Sequence, residues 1–180
     1  MPLDLRALQA YDGSINWKLL QLERWEHSLL RSQMSILKIA HVPPARVEPG
    51  QTVLEAVRVM AKEGVGAVAV IEKGERAELC GVFTERDLML RVVLQKLDPE
   101  QTKVRDVMTS PVATIPEDIT AEDAFNQMVE RHMRHLAIVS PDGELLGMLS
   151  IRNVLEHLIE ELQRELHSLD QYMSNDGPGG

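Results

Sequence analysis

Two short segments of the chain combine residue types that can do chemistry. Residues 81–87 read GVFTERD and residues 147–153 read GMLSIRN, with their glycines 147 − 81 = 66 positions apart. Each segment follows an apolar run and opens a helical pattern, so Thr84 and Ser150 fall at a helix start. The simplest interpretation is helix capping: each hydroxyl accepts from the amide three residues later, and the side chain at that later position reaches back.

The same geometry also suits an anionic ligand. The first turn of a helix offers free amides and the positive end of the helix dipole. Thr84 can give a hydroxyl to a phosphate, and the Asp87 carboxylate can accept from both hydroxyls of a ribose. Arg86 and Arg152 bring positive charge to the two helix starts. Capping and binding are compatible because one geometry serves both.

The two segments belong to a longer internal repeat, read from Val47 and again from Thr114. The copies align with a few small shifts, and the matched pairs are Pro49 with Pro116, Ala56 with Ala124, Met60 with Met128 and Gly81 with Gly147. Each copy predicts a short extended piece, an amphipathic helix, a strand hairpin and a second helix.

Hydrophobic spacing supplies these elements. Apolar residues at helical spacing predict the first helix of each copy: Val53, Ala56, Val57, Met60 and Ala61, then Ala121, Ala124, Phe125 and Met128. Buried strands are predicted at 67–71 and 136–139, with partner strands at 78–83 and 144–149. We therefore expect an α/β fold with β-α-β-β-α written twice. A single copy is small for independent stability, so two copies should pack sheet to sheet and share one core.

This doubled pattern, with GVFTERD and GMLSIRN at the strand-to-helix junctions, resembles a tandem pair of CBS domains, named after cystathionine β-synthase. The resemblance covers roughly residues 40–160. It implies a stand-alone, bacterial-type regulatory module that binds an adenosine-containing ligand in the cleft between the repeats. AMP, ADP or ATP is the expected ligand, with S-adenosylmethionine and NAD ranked behind them.

The resemblance also implies roles for individual residues. Asp87 with Thr84 would hold ribose and phosphate in one site, and Asn153 with Ser150 in the other. The residues that the family places before the first hairpin strand, which reach phosphates, are here Arg134 and His135. Backbone near Val47 and Thr114 would face the adenine.

The two copies depart from the family pattern and from each other. Ala69 and Ala137 stand where the family often has proline. Residues 64–66 read GVG where residues 132–134 read HMR, so the phosphate side is basic from one repeat only. Asn153 accepts less strongly than a carboxylate. We therefore expect asymmetric binding, with the Asp87 site the stronger.

Composition and motifs exclude several classes of protein. The formal net charge of −9 argues against broad nucleic-acid binding. The single cysteine, Cys80, is expected to be a buried structural thiol. The sequence contains neither a membrane-length apolar run nor a secretory signal, so a soluble cytoplasmic protein is expected.

Gly64-Val65-Gly66 follows a helix rather than a strand, which disfavours a dinucleotide fingerprint. His132 and His135 lack further metal ligands at suitable spacing. We see no catalytic set and expect no enzyme.

The ends of the chain extend beyond the repeats. We expect a helical arm at 1–40, repeats at 41–100 and 101–160, a helix extension at 161–174 and a disordered tail at 175–180. A heptad-like seam runs along the last helix: Leu155, Ile159, Leu162, Leu166, Leu169 and Met173. It can pack on the chain's own N-terminal helix or on a second copy, and we expect a homodimer with the terminal helices at or near the interface.

Two functions from different classes remain open. In the first, the chain senses an adenine nucleotide and signals to a target protein that the sequence does not identify. In the second, the chain is a structural or dimerisation module whose ligand sites have degenerated. Asn153 and the Gly64/Gly66 pair favour the second.

Overall fold

The computed structural model describes residues 35–74 and 77–175, with side chains described as far as Gln171. The predicted arm at 1–40 therefore lies almost entirely outside the described residues, and only a short 3-10 helix, Ile36–Lys38, is seen from it. The predicted tail lies outside as well, apart from its first residue, Asn175.

Both copies of the repeat fold as predicted, in the order β-α-β-β-α. The first copy consists of β1 (Arg46–Val47), α1 (Val53–Glu63), β2 (Ala67–Glu72), β3 (Glu78–Thr84) and α2 (Glu85–Asp87), which continues as a π-helical segment, Leu88–Val93. The connection contains α3 (Val104–Val107). The second copy consists of β4 (Thr114–Pro116), α4 (Ala121–Glu130), β5 (His135–Val139), β6 (Leu145–Ser150) and α5 (Ile151–Asn175).

Each repeat builds one three-stranded sheet, with strand orders β1-β2-β3 and β4-β5-β6. Val47 pairs with Val70 and Ile115 pairs with Ile138, each in a parallel ladder. Val70 and Ile138 both lie opposite a motif glycine in an antiparallel hairpin. Val47 is thus equivalent to Ile115, and the predicted proline match is wrong by one residue because the leading strands are too short to fix their own register.

The core consists of three clusters rather than the single shared core that we expected. One lies within each repeat, between its sheet and its helices. The third lies between the two sheets and contains Ala67, Ala69, Ile71, Val82, Ala137 and Met148. The hairpin strands are buried on both faces, so alternate residues feed different clusters. Ala69 and Ala137, where the family often has proline, are small side chains that let the sheets approach.

The first helix of each repeat buries a narrow apolar stripe. In α1, Val53, Ala56 and Met60 are buried and Ala61 is exposed, so the prediction that Ala61 belongs to the stripe is wrong. Ala61 lies in the last turn of the helix, on the exposed side, one residue after the buried Met60. Gly64 has φ 66° and its amide donates to the carbonyl of Met60, which confirms that it ends the helix.

The core of each repeat contains residues from the segment that leads into the other repeat. Ile36 is buried in the core of the second repeat, and His41 pairs with Met148 in β6. In the opposite direction, Val104 and Val107 of α3 are buried in the core of the first repeat. The two copies are therefore interlocked through their leading segments.

These leading segments explain the glycines at positions 81 and 147. A Cβ atom on Gly81 would clash with the sulfur of Met108, and one on Gly147 would lie 3.0 Å from a methyl carbon of Val42. Both approaches are too close for ordinary van der Waals contact. Glycine within a strand here marks the close approach of a crossing segment.

The last helix outruns its repeat, as predicted. α5 has 25 residues and is therefore about 37 Å long. Its seam residues are exposed as far as their side chains are described: Leu155, Ile159, Leu162, Leu166 and Leu169. None of the helices in the described part of the chain combines the length and apolar character needed to span a membrane.

Candidate functional site

Thr84 and Asp87 form a reciprocal capping box at the start of α2, as the sequence predicts. The Thr84 hydroxyl accepts from the Asp87 amide at 3.3 Å. In return, Oδ2 of Asp87 accepts from the Thr84 amide at 2.9 Å and from the Thr84 hydroxyl at 2.7 Å. The motif places a hydroxyl and a carboxylate on the first turn of a helix in fixed geometry.

The other carboxylate oxygen of Asp87 is held by two residues that sequence reasoning missed. Oδ1 accepts from the hydroxyl of Thr109 at 2.9 Å and lies 3.4 Å from Nη1 of Arg91. Asp87 is only 5% exposed, so these partners compensate a buried charge. The i, i+4 spacing of Asp87 and Arg91 is a signal visible in sequence. Thr109 gives no such signal because it arrives on the crossing segment.

Arg91 also ties the site to the connection between the repeats. Its Nη1 donates to the backbone carbonyl of Val107 at 3.1 Å and to that of Met108. Thr109, the next residue, exchanges backbone hydrogen bonds with Val82 in β3 at 2.8 and 3.0 Å. The Asp87 carboxylate is thus linked through two partners to the segment that leads into the second repeat.

Basic residues of the two repeats meet at the start of α2. Arg86 donates from Nη1 to the carbonyl of His132, in the loop before β5, at 3.0 Å. Arg134, from the same loop, places Nη2 3.9 Å from Oε2 of Glu85. Arg86 of the first repeat therefore lies beside the loop of the second repeat that leads to Arg134 and His135, the predicted phosphate-side residues.

Gly66 shows how closely the repeats approach at this point. A Cβ atom on Gly66 would lie 3.3 Å from Cε1 of His135 and 3.2 Å from Oε2 of Glu85. The absence of a side chain at Gly66 makes room for both groups. We refer to the assembled residues as the first cluster: Thr84, Glu85, Arg86, Asp87, Arg134 and His135.

His135 differs electrostatically from a solvated histidine. Burial lowers the pKa of its ring, and the positive charge of Arg134 lowers that pKa further, while Glu85 opposes both. The ring is therefore neutral at pH 7 and has one nitrogen that donates and one that accepts.

The second cluster comprises Ser150, Arg152 and Asn153, and it is less charged. The Ser150 hydroxyl accepts from the Asn153 amide at 3.2 Å and donates to the Asn153 side-chain oxygen, which again caps a helix start. Arg152 is largely exposed, and its Nε donates at 2.9 Å to Glu156 one turn along its own helix. The predicted cation is thus paired within α5.

The two residues predicted to face adenine lie on the leading strands. Val47 buries its side chain in the core of the first repeat, so its backbone is the part that a ligand can contact. Thr114 is exposed, and its backbone pairs with that of Ala137. Their contact with adenine stays a prediction.

Other polar residues in the described ranges have partners of their own. Cys80 is half-buried, its thiol donates to the carbonyl of Val70 at 3.2 Å, and burial raises its pKa. His157 is buried with Nε2 3.4 Å from Oε1 of Glu161. Among residues 35–74 and 77–175, no three metal-ligating side chains of the His, Cys, Asp and Glu types are grouped for a metal ion.

The fold is a tandem pair of β-α-β-β-α repeats. Each repeat carries one capping motif at the junction between its last strand and the helix that follows. The family model for the CBS domain matches residues 37–94 and again 104–160. The chain belongs to the CBS domain family.

Known proteins agree with this assignment. The protein MK0525 of Methanopyrus kandleri is 30% identical over 141 residues, which are 77% of this chain and 71% of that protein. The mitochondrial CBS domain-containing protein CBSX3 of Arabidopsis thaliana is 32% identical over 124 residues, 68% of this chain, and the chain spans only 60% of its length. The CBS domain protein PAE2072 of Pyrobaculum aerophilum, solved in complex with AMP, is 27% identical with a TM-score of 0.59, covering 71% of this chain and 99% of that one.

Proposed function

We propose that this chain is a regulatory module that binds AMP, ADP or ATP at the first cluster and passes the signal to another protein. One observation carries the proposal: Thr84 and Asp87 sit at a helix start beside cations contributed by both repeats. Hydroxyl and guanidinium groups suit a phosphate, and a carboxylate suits a ribose. The AMP complex of PAE2072 supports an adenine nucleotide as the ligand.

The hydrogen bonds of Asp87 support a coupled mode of binding. In the capping box, the single hydroxyl hydrogen of Thr84 points to Oδ2 of Asp87. When that hydroxyl turns to donate to a phosphate, Oδ2 regains a lone pair for a ribose hydroxyl. Phosphate and ribose therefore assist each other, because one rearrangement serves both contacts.

Of the two clusters, the first has a cation from the opposite repeat, Arg134. The positions of Arg134 and His135 are taken in the first repeat by Gly66 and Ala67, so the second cluster lacks an equivalent guanidinium charge and an equivalent imidazole ring. Arg152 is engaged with Glu156. We infer one strong nucleotide site in each chain, at Asp87, with any second site weaker.

A homodimer is the second part of the proposal. The second helices of the two repeats expose apolar side chains at equivalent positions, Met89 and Val93 in one and Leu155 and Ile159 in the other. Matching apolar pairs related by the repeat suit self-association about a two-fold axis. No catalytic role is proposed.

The alternative is a structural or dimerisation module without a working ligand site. Asn153 favours it, because an amide oxygen is a weaker ribose acceptor than a carboxylate. The hydrogen bonds of Asp87 to Thr84 and Thr109 also fit a purely structural cap.

Thermal unfolding with a ligand panel separates the two functions. The panel contains AMP, ADP, ATP, NAD and S-adenosylmethionine, each added to the wild-type chain and to Asp87→Asn. A ligand at 100 times its Kd adds about 2.7 kcal/mol to the free energy of unfolding, which raises Tm. We expect a rise with at least one adenine nucleotide that Asp87→Asn reduces. No rise with any member of the panel supports the structural module instead.

A further inference from the structure

An acid stands among the cations of the first cluster. Oε2 of Glu85 lies 3.9 Å from Nη2 of Arg134. The same oxygen and Cε1 of His135 both lie within 3.3 Å of the position that a Cβ on Gly66 would take. Glu85 and His135 therefore flank one backbone position, and the carboxylate faces both positively charged or protonatable groups of the opposite repeat.

Glu85 and its neighbours Arg134 and His135 are all replaced by residues without charge at the equivalent positions of the other repeat. In the second repeat the position of Glu85 is taken by Ile151, which likewise follows the capping hydroxyl. The positions of Arg134 and His135 are taken in the first repeat by Gly66 and Ala67, which carry no charge. A role for Glu85 in beginning the helix alone does not explain why its charge is opposite to that of Arg134 in the loop before β5.

We propose that Glu85 is a specificity-determining residue that competes with the phosphate of a nucleotide for Arg134 and His135. The inference rests on the proposed function of the first cluster. The Glu85 carboxylate pairs with the Arg134 guanidinium and lies beside the neutral ring of His135. A bound phosphate carries more negative charge than one carboxylate and displaces it, whereas an uncharged nucleoside leaves the Glu85 contacts intact. Glu85 thus lowers affinity for phosphate-bearing ligands selectively.

The size of the effect follows from exposure. The side chains of Glu85 and Arg134 are 62% and 50% exposed, so their ion pair is a weak surface interaction that salt screens. Its removal should change affinity by about two- to fivefold, in line with exposed ion pairs. Because Glu85 is exposed, replacing it with glutamine should not disturb folding.

Calorimetric titration of the full chain tests the competition. Wild type and Glu85→Gln are each titrated with AMP and with adenosine, at low and at high salt. We expect Glu85→Gln to bind AMP about two- to fivefold more tightly at low salt, with adenosine unchanged and the gain reduced at high salt. Glu122→Gln is the matched control, because Glu122 also lies in the first turn of a helix. Unchanged or weaker AMP binding in Glu85→Gln, or an equal gain for adenosine, overturns the proposal.

A second measurement needs no nucleotide. The ring of His135 is titrated by NMR in wild type and in Glu85→Gln, with and without inorganic phosphate. The charges that face this ring are those of Arg134 and Glu85, so loss of the carboxylate should lower the His135 pKa. Phosphate should then perturb the ring at a lower concentration than in wild type. If AMP, ADP, ATP and adenosine all fail to bind either protein, the proposed function fails, and this phosphate response still decides the role of Glu85. An unmoved pKa with an unaltered phosphate response overturns it.

Discussion

Asp87 is a structural residue that also lies at the proposed ligand site. Its carboxylate completes the cap of α2 and accepts from Thr109, a residue on the segment between the repeats. A ligand that takes over one of these bonds changes what holds that segment in place. Asp87, which would bind ribose, is therefore also the residue through which a bound ligand would affect the segment between the repeats.

His135 predicts a pH dependence of stability. Burial and Arg134 lower its pKa in the folded chain, so the unfolded chain takes up the proton first as pH falls. The free energy of unfolding should therefore be unaffected by this group above about pH 6.5 and should decline below it, through the lowered folded pKa. His135→Gln should remove this part of the decline. Urea unfolding of both proteins between pH 5 and 8 measures it.

The difference between the two curves isolates His135 from the other titrating groups. Curves that stay parallel across this range would contradict the account, since they would show that the ring has the same pKa folded and unfolded. A wild-type curve that gains stability at low pH relative to His135→Gln would indicate a raised pKa.

At the scale of elements, the crossing segments determine which residues the strands can carry. A Cβ atom on Gly81 would clash with the side chain of Met108, which must then move, so Gly81→Ala should cost about 1–3 kcal/mol in the free energy of unfolding. Gly50→Ala is the control, because a Cβ atom there meets nothing within 4 Å. Denaturant unfolding compares them. The double variant Gly81→Ala with Met108→Ala should show less than the sum of the two single costs.

Equal stabilities of Gly81→Ala and Gly50→Ala would show that the sheet shifts freely to make room. Strict additivity in the double variant would contradict a direct clash between Gly81 and Met108. Either result would remove the steric explanation for the motif glycine.

The sequence was sufficient to predict the elements that depend on local signals. The apolar runs predict the hairpin strands to within one residue at every end, and the Thr84 capping box is confirmed because its partners are three residues apart. Contacts between residues far apart in the chain could not be predicted from these local signals. The Thr109 bond to Asp87 and the approach of His135 to Gly66 depend on which face of one repeat meets the other. A pattern with period two or 3.6 does not contain that information.

The core illustrates the same limit. Burial of 67–71 on both faces is readable from its unbroken apolar run. The division into three clusters follows from the exchange of leading segments, in which Ile36 and Val104 each enter the core of the other repeat. The misplaced proline match between the leading strands has a related cause, since strands of two or three residues take their register from the partner strand.

At the scale of the whole molecule, the exposed apolar positions predict self-association. Val93 is 62% exposed on the second helix of the first repeat, and a charge there should disrupt a dimer by burying it without a partner. Wild type should show twice the chain mass of 20.2 kDa by light scattering, and Val93→Glu should show a lower average mass. Val129→Glu is the matched control, because Val129 is 50% exposed on α4 and belongs to neither apolar pair.

A wild-type monomer at micromolar concentration would contradict the predicted dimer. Equal loss of mass in Val93→Glu and Val129→Glu would indicate general destabilisation rather than a specific interface, and circular dichroism of both variants would check that they remain folded.

Calorimetric titration of AMP into wild type, Asp87→Asn and Asn153→Ala tests the central claim most directly. A hydrogen bond to a charged group contributes about 1.5–3 kcal/mol, so Asp87→Asn should weaken binding by roughly ten- to a hundredfold. Asn153→Ala should leave the strong site, one in each chain, nearly unchanged. Absence of heat with wild type, or equal losses in the two variants, would contradict the account.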